Sequence, residues 1–285
     1  MLPIRLLAPS YGCEKEQLLE VVSFLTKEGF DVSYSCDFFQ KDPFSSAPKE
    51  IREKDFKEAL LLKEPHILWP IAGGYGAMDV LSPALLELKS PPHILVGFSD
   101  ITCLHGLFNG VYNLSSIHGC CARHLVMTDK SELTKASVLD LLKTNTIHQV
   151  LEVKPLNAPA FEKDSFEGDI IGGNLTLVQC CLKTPWQLNP KGKILYLEEV
   201  DERGYRVDRL FLHLFQTGFF KELKALILGD FTEGLEPDGS CKIDIALKRW
   251  CQRLDLPIYH LPDTGHGKIN KAFWLNKKTT IIAKK

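Results

Sequence analysis

Short apolar runs alternate with amphipathic segments along the first half of the chain. Four segments are predicted strands, and most of them have the nearly continuous apolar character of strands that are buried on both faces: Ile4–Ala8, Phe30–Ser35, His66–Ala72 and His93–Phe98. Three segments between them carry apolar side chains at helical spacing: Glu14–Lys27, Lys49–Lys63 and Met78–Leu88. Strands that alternate with helices predict a parallel sheet covered by helices on both faces.

The pattern becomes less regular in the second half of the chain. Residues 156–167, which read LNAPAFEKDSFE, mix proline, asparagine and charge, so we predict a linker between an N-terminal domain (1–155) and a C-terminal domain (168–285). Beyond the linker, apolar runs are separated by helices predicted at about residues 206–217 and 245–254. The sequence therefore predicts an α/β protein, with an N-terminal parallel sheet of flavodoxin-like or Rossmann-like type and a smaller, mixed α/β C-terminal domain.

Composition and charge narrow the class of partner. A hydrophobic fraction of 45% and a charged fraction of 25% are typical of a soluble globular protein, and a net charge of −2 offers no attraction for nucleic acid or an anionic membrane. No apolar run reaches the roughly 18 residues of a spanning helix, and the N-terminus lacks the apolar core of a signal peptide. The nine cysteines follow no metal-binding spacing. We therefore expect reduced thiols, a cytoplasmic location and no metal.

Two turns at predicted strand ends are candidate sites, because ligands of parallel sheets bind outside the carboxyl ends of the strands. Ser99-Asp100 follows the fourth strand, and Gly73-Gly74-Tyr75-Gly76 follows the third. Ser99 at such a turn is either a helix N-cap or a nucleophile displayed above the sheet. The glycine turn lacks the spacing of a nucleotide-binding loop, and it is either a tight turn or part of a ligand site.

Two further candidates lie in the second half. Strand alternation points Glu198 and Glu199 to opposite faces, so either one enters a cleft while the other meets solvent, or both are solvated residues at a strand end. His266 lies between two glycines, which leave its ring uncrowded. Three other histidines are expected to be structural or too distant from Ser99 to contact it: His66, His93 and His105.

These segments together resemble one family, the LD-carboxypeptidases, which are serine peptidases that include microcin-immunity proteins. The similar segments follow one another along nearly the whole chain: IRLLAPS (Ile4–Ser10), GGYGAM (Gly73–Met78), LVGFSDITCLH (Leu95–His105), IHG (Ile117–Gly119), GGNLTLV (Gly172–Val178), ILYLEEVDERGYRVDRLFLHLFQTG (Ile194–Gly218) and GHG (Gly265–Gly267). By this resemblance Ser99 matches the nucleophile, Glu198 the carboxylate of the triad and His266 the general base.

The resemblance also implies a substrate and its contacts. The expected reaction is removal of the terminal D-alanine from a cytoplasmic cell-wall tetrapeptide, without a cofactor, by a protein that forms homodimers. Expected oxyanion donors are the backbone N–H groups of Asp100 and of the turn at Gly73 and Gly74. Three further residues are candidates for holding the polar groups of the substrate: Tyr75, Asn174 and Arg209.

Three positions depart from the pattern of the family. Ala72 and Asp79 stand where many members carry arginines beside the glycine turn, and Cys120 stands where a proline is usual. The loss of positive charge leaves two alternatives open. One is hydrolysis of a peptidyl- or aminoacyl-nucleotide toxin, with Trp69 or Trp186 stacking on the base. The other is a ligand-binding relative without catalysis, in which Ser99 only caps a helix.

Overall fold

The computed structural model describes residues 1–35, 42–144 and 148–285. Within these ranges it contains twelve strands: β1 (Ile4–Leu7), β2 (Val32–Tyr34), β3 (Ile67–Pro70), β4 (Ile94–Gly97), β5 (Ser116–His118), β6 (Gln149–Pro155), β7 (Ser165–Asn174), β8 (Ile194–Val200), β9 (Ala225–Thr232), β10 (Ile258–His260), β11 (Phe273–Leu275) and β12 (Lys278–Ala283). The α-helices of the same ranges are α1 (Lys15–Lys27), α2 (Lys49–Leu60), α3 (Thr102–His105), α4 (Glu132–Lys143), α5 (Ala158–Phe161), α6 (Leu175–Cys180), α7 (Gly204–Gln216) and α8 (Ile243–Arg253).

The first sheet has the strand order β2-β1-β3-β4-β5-β11. Strands β1 to β5 are parallel, and β11, which comes from near the end of the chain, is antiparallel to β5 at the edge. The order 2-1-3-4-5 is that of flavodoxin-like folds, in which the connection direction reverses between β1 and β3. The predicted α/β class with a flavodoxin-like sheet is therefore confirmed.

Helices cover both faces of this sheet, because its strands are apolar on both sides. Side chains of α1 and α4 such as Val21 and Val138 pack on one face, and Phe56 of α2 packs on the other. The helix predicted at Met78–Leu88 is instead two short 3₁₀ turns, Ala77–Val80 and Pro83–Glu87. Pro83 removes a backbone donor in the middle of the segment, which ends the first turn.

The second sheet is a closed barrel in the order β10-β6-β12-β7-β8-β9. Helices α7 and α8 pack on its outside, through side chains such as Phe211 and Trp250. Strand β6, which we had assigned to the N-terminal domain, pairs with β10 and β12 of this barrel. The predicted linker forms α5 and the beginning of β7. The structural boundary therefore differs from the predicted one, because β6 precedes the polar stretch and β11 returns to the first sheet.

The two sheets meet at the start of α3, next to Ser99. The backbone N–H of Asn174, at the end of β7, donates to Thr102 Oγ1 at 3.0 Å. Gly173 allows this approach, because a Cβ at that position would lie 2.4 Å from the same oxygen. The carboxyl end of β4 is thereby held against the carboxyl ends of β7 and β8.

Composition led to two expectations, reduced cysteines and no membrane-spanning helix. Eight cysteines in the described ranges have free thiols, and Cys36 lies outside those ranges. In the described part of the chain, the helices are too short or too polar to cross a bilayer.

Candidate active site

Ser99 occupies a strained turn. Strand β4 ends at Gly97, Phe98 is extended, and Ser99 has a φ of +60° at the start of a 3₁₀ turn that runs to Ile101. A residue with a Cβ in this left-handed region costs about 1–2 kcal/mol. Phe98 holds the cap position, and the Ser99 hydroxyl makes no capping hydrogen bond. The geometry is thus that of a displayed side chain rather than of an N-cap.

The glycine turn lies directly against this serine. A Cβ on Gly73 would be 3.3 Å from Ser99 Oγ and 3.7 Å from the backbone nitrogen of Asp100. The Asp100 side chain points elsewhere, since its carboxylate accepts hydrogen bonds from Ser10 Oγ (2.6 Å) and the Ala77 N–H (2.8 Å). Burial raises the pKa of this carboxyl. The part of Asp100 beside the turn is therefore its backbone N–H, the group expected to bind an oxyanion.

Glu198 and His266 form the central polar pair of the site. Glu198 lies near the end of β8 and is fully buried, and its Oε2 is 2.6 Å from His266 Nδ1. Gly265, with a φ of +110°, makes room for this contact, because a Cβ there would lie 2.8 Å from the same oxygen. Burial opposes a charged imidazole, but the charge and hydrogen bond of Glu198, with a smaller contribution from Glu199, raise the pKa of His266.

His266 also contacts the residue that precedes the predicted nucleophile. Its ring centroid lies 4.7 Å from that of Phe98. Glu198 occupies Nδ1 of His266, which leaves Nε2, on the opposite side of the ring, for the serine. In the described part of the chain, however, no hydrogen bond joins the Ser99 hydroxyl to His266. Hydrogen bonds of catalytic groups are often long in unliganded enzymes. The structure therefore pairs His266 with Glu198 and places the His266 ring against Phe98, the neighbour of Ser99, without a hydrogen bond to the serine hydroxyl.

The second glutamate has a structural role. Glu199 is on the face opposite to Glu198, as strand alternation predicts, but it is buried rather than exposed to solvent. Its carboxylate accepts hydrogen bonds from Asn174 Nδ2 at 2.7 Å and from Thr176 Oγ1 at 2.7 Å. Burial raises the pKa of Glu199 despite these donors. The expectation that one of the two carboxylates meets solvent was wrong, because α6 begins directly over β8.

Two of the three candidates for substrate contacts are engaged elsewhere. Asn174 is buried and caps α6, accepting the Leu177 N–H at 3.2 Å while donating to Glu199. Its amide oxygen and one of its two N–H donors are therefore used within the protein, and a contact with substrate stays a prediction. Arg209 is on the exposed face of α7, with its guanidinium 5.3 Å from the Tyr205 ring. Tyr75, the third candidate, is 57% exposed in the glycine turn.

One residue that sequence reasoning missed supports the loops around the site: Arg52 in α2. It is buried and donates to the carbonyl oxygens of Pro9 (2.6 Å), Ala47 (2.8 Å) and Gly76 (2.6 Å). It also forms an ion pair of 3.2 Å with Asp79. Asp79, which stands where many members of the family carry an arginine, is therefore neutralised by Arg52 from α2. Nothing in the charged pattern of Lys49–Lys63 distinguishes Arg52 from its solvated neighbours.

Three buried histidines near the site are structural, and burial lowers the pKa of each: His105, His118 and His124. His105 is fully buried, with Nε2 2.9 Å from the Gly97 carbonyl, and burial lowers its pKa to about 4. His124 and His118 lie around the Phe98 ring, at centroid distances of 5.5 and 6.1 Å. Burial lowers the pKa of both imidazoles, to about 3 for His124. The imidazoles of His118 and His124 therefore pack around the same Phe98 ring that His266 contacts.

The two tryptophans considered for stacking on a nucleotide base are both buried. Trp69 donates its indole N–H to the Cys120 carbonyl at 2.9 Å, and Trp186 packs in the core beside α3. Neither indole face is open to a ligand, so both tryptophans belong to the core and the stacking alternative gains no support from them.

Cys120, which stands where a proline is usual in the family, is buried, and burial raises the pKa of its thiol. In the described ranges, no group of three or more histidine, cysteine or acidic side chains is arranged to hold a metal ion.

Comparison with known proteins places this chain in a family. The LD-carboxypeptidase N-terminal domain model matches residues 4–119, and the C-terminal domain model matches residues 167–281. A Rickettsia conorii relative with a carboxypeptidase name is 31% identical over 285 residues, which cover 99% of this chain and 88% of that protein. The murein tetrapeptide carboxypeptidase of Pseudomonas aeruginosa is 28% identical over 291 residues, covering 98% and 92%.

Solved structures agree on the fold over the whole chain. Muramoyltetrapeptide carboxypeptidase from Oxalobacter formigenes superposes with a TM-score of 0.82 at 24% identity, covering 99% of this chain and 96% of that one. An MccF-like protein from Bacillus anthracis gives 0.80 at 25% identity, covering 100% and 97%. With both domains matched and a relative above 30% identity over nearly its full length, this chain belongs to the LD-carboxypeptidase family.

Proposed function

We propose that this protein is a serine-type LD-carboxypeptidase that removes the terminal D-alanine from cell-wall tetrapeptides. The observation that carries the proposal is the pair of His266 and Glu198, 2.6 Å apart, packed against Phe98 beside the strained Ser99. A serine hydroxyl needs a base to accept its proton, and the base needs a third group to hold its tautomer. The names of curated relatives, such as murein tetrapeptide carboxypeptidase, support the substrate class.

In the proposed reaction, Ser99 Oγ attacks the carbonyl carbon of the residue before D-alanine while His266 Nε2 takes the hydroxyl proton. Glu198 keeps the remaining ring proton on Nδ1 and stabilises the imidazolium. The oxyanion accepts hydrogen bonds from the backbone N–H groups of Asp100 and of the turn at Gly73 and Gly74. Each such donor stabilises the transition state by about 3–4 kcal/mol. His266 then gives its proton to the D-alanine nitrogen as the amide bond breaks. A water molecule hydrolyses the acyl-enzyme by the reverse proton transfers.

We extend the proposal to the cellular context. The free thiols of eight described cysteines support a cytoplasmic location, where thiols are kept reduced. The substrate would then be a soluble muropeptide rather than intact wall. Assembly as a homodimer is proposed from the family resemblance and is tested by light scattering at micromolar concentration.

The direct test is mass spectrometry of synthetic L-Ala-γ-D-Glu-diamino acid-D-Ala after incubation with the protein and a chelator. We expect release of one alanine, leaving the tripeptide, with no effect of the chelator. A tetrapeptide that ends in L-alanine is the matched control and should remain intact. Absence of alanine release would contradict the proposal, and dependence on a removable metal would contradict the serine mechanism.

A further inference from the structure

Two cationic side chains near the site have no acidic partner. Arg123 is in the 3₁₀ turn that follows β5, and Lys130 is in the segment between that turn and α4. Both are half-buried. Within the ranges that the structure describes, neither forms an ion pair, even with the adjacent Asp129, and the buried Nε of Arg123 has no hydrogen-bond partner. Buried polar groups are usually paired, so these two cations are suited to an anionic ligand.

Backbone contacts hold Lys130 close to the loop that carries His266, which we call the histidine loop (residues 263–270). The Ser131 N–H donates to the Lys268 carbonyl at 3.4 Å. The Asn270 N–H donates to Thr134 Oγ1 at 2.9 Å. The segment that carries Lys130 is therefore attached to the histidine loop at two points.

The electrostatic effects of the two cations agree with this position. The rings of His124 and His266 both lie against Phe98, at centroid distances of 5.5 and 4.7 Å. Burial is the main cause that lowers the pKa of His124, and the charges of Arg123 and Lys130 add to it. Burial also opposes protonation of His266, and the charge of Lys130 adds a smaller opposition to its pKa. Lys130 therefore lies close to the imidazole that acts as the proposed general base.

Other arginines around the site are already engaged. Arg52 is surrounded by three carbonyl oxygens and pairs with Asp79. Arg209 lies against the Tyr205 ring on α7. Neither is as well placed as Lys130 to neutralise an anion beside His266.

We propose that Lys130, assisted by Arg123, binds the terminal carboxylate of the amino acid that the enzyme releases. This inference rests on the proposed function. The leaving nitrogen, which takes its proton from His266, is separated from that carboxylate by a single carbon atom. The carboxylate of the bound substrate must therefore lie near the His266 ring, on the side where Lys130 supplies a positive charge. A cation there favours the end of a peptide chain, because an internal peptide bond offers no anion at this place.

The test compares the tetrapeptide that ends in D-alanine with the same peptide ending in D-alaninamide, which lacks the negative charge. For the wild type we expect kcat/KM to be higher on the acid. Lys130→Met should lower the ratio of the two kcat/KM values about tenfold, and Arg123→Met should lower it by a smaller factor. Lys130→Arg keeps the charge and should keep most of the ratio. An indirect effect through the pKa of His266 changes both rates alike and cancels in the ratio.

The matched control is Lys268→Met, which removes an exposed lysine from the histidine loop itself. It should leave the ratio unchanged. An equal fall of the ratio in Lys268→Met and Lys130→Met would assign the effect to the general field of the loop and would overturn the carboxylate contact. Equal losses on the acid and the amide in Lys130→Met would show a damaged site rather than a lost contact, and would overturn it as well.

A binding measurement separates this inference from the proposed function. Calorimetry with Ser99→Ala measures affinity without turnover, and the acid should bind more tightly than the amide until Lys130→Met is added. Equal affinity for both peptides would overturn the carboxylate site while leaving D-alanine release by the wild type intact. A preference for the acid that survives the loss of both Lys130 and Arg123 would overturn it in the same way.

Discussion

His266 Nδ1 lies 2.6 Å from Oε2 of the fully buried Glu198, an approach that Gly265 makes possible. Glu198 is on the interior face of the barrel, and His266 is on a loop beside the first sheet, so the hydrogen bond joins the two halves of the fold at the site. The carboxylate fixes the tautomer of the ring and favours its charged form. Both effects lead to measurable consequences.

The first prediction is a shift of the pH profile in Glu198→Gln. A general base must be neutral, so wild-type kcat/KM should fall as pH decreases through the raised pKa of His266. Without the carboxylate, burial dominates and lowers the pKa of His266, so the acid limb should move to lower pH while the plateau falls by 10³-fold or more, roughly as in other triads. Glu199→Gln is the matched control. Its contribution to the pKa of His266 is smaller, so a shift equal to that of Glu198→Gln would contradict the assignment.

The second prediction concerns the strain at Ser99. Its φ of +60° suits glycine, which has no Cβ to clash. Ser99→Gly should therefore be about 1 kcal/mol more stable than Ser99→Ala, with both variants inactive. Urea unfolding measures the difference. Equal stability of the two variants would mean that the turn relaxes and stores no strain.

The third prediction concerns Arg52. Arg52→Met leaves the carbonyls of Pro9, Ala47 and Gly76 without their charged donor and should cost about 3 kcal/mol of folding stability. Asp79→Asn is the control, because its partly exposed ion pair with Arg52 should contribute under about 1 kcal/mol. Thermal unfolding of both variants checks this, and a loss of equal size in the two would show that the ion pair rather than the carbonyl contacts matters.

The fourth prediction is loss of stability in acid from buried neutral histidines. The pKa of His105 is about 4 in the folded protein and 6.5 ordinarily, so between these values the unfolded chain binds the extra proton. The contribution of the neutral His105 to the free energy of unfolding is therefore complete above pH 6.5, and it is lost as pH falls towards 4. For one such histidine the loss between pH 7 and pH 5 is about 2 kcal/mol.

His105→Gln tests this contribution, because the glutamine amide can still donate to the Gly97 carbonyl and does not titrate. Its unfolding free energy should depend less steeply on pH between 7 and 5 than that of the wild type, as measured by urea unfolding at both pH values. Parallel curves for the two proteins would show that His105 titrates normally in the folded state.

Several features could be predicted from sequence because they depend on local pattern. Continuous apolar strands between amphipathic helices specify the parallel sheet, and Ser99 stands out because a hydroxyl follows a buried strand directly. Glu198 and His266, which the structure brings together, were singled out only by the resemblance to the LD-carboxypeptidases, since neither stands out by local pattern.

Other features depend on contacts between distant segments and leave no local signal. Strand β6 has the same half-buried pattern whichever sheet it joins, so the sequence could not place it in the barrel. Arg52 resembles a solvated helix residue until three loops surround it. The sequence gives no sign of the hydrogen bond between Asn174 and Glu199, because it exists only when β7 and β8 are adjacent.

The central claim, that Ser99 is a nucleophile activated by His266 and Glu198, is tested most directly by covalent labelling with a fluorophosphonate followed by intact-protein mass spectrometry. We predict one adduct on the wild type, located on Ser99 by peptide mapping, none on Ser99→Ala, and labelling slowed at least 100-fold in His266→Gln, an order of magnitude expected for the loss of a general base. An adduct on a different residue, or a Ser99 adduct formed equally fast without His266, would contradict the account.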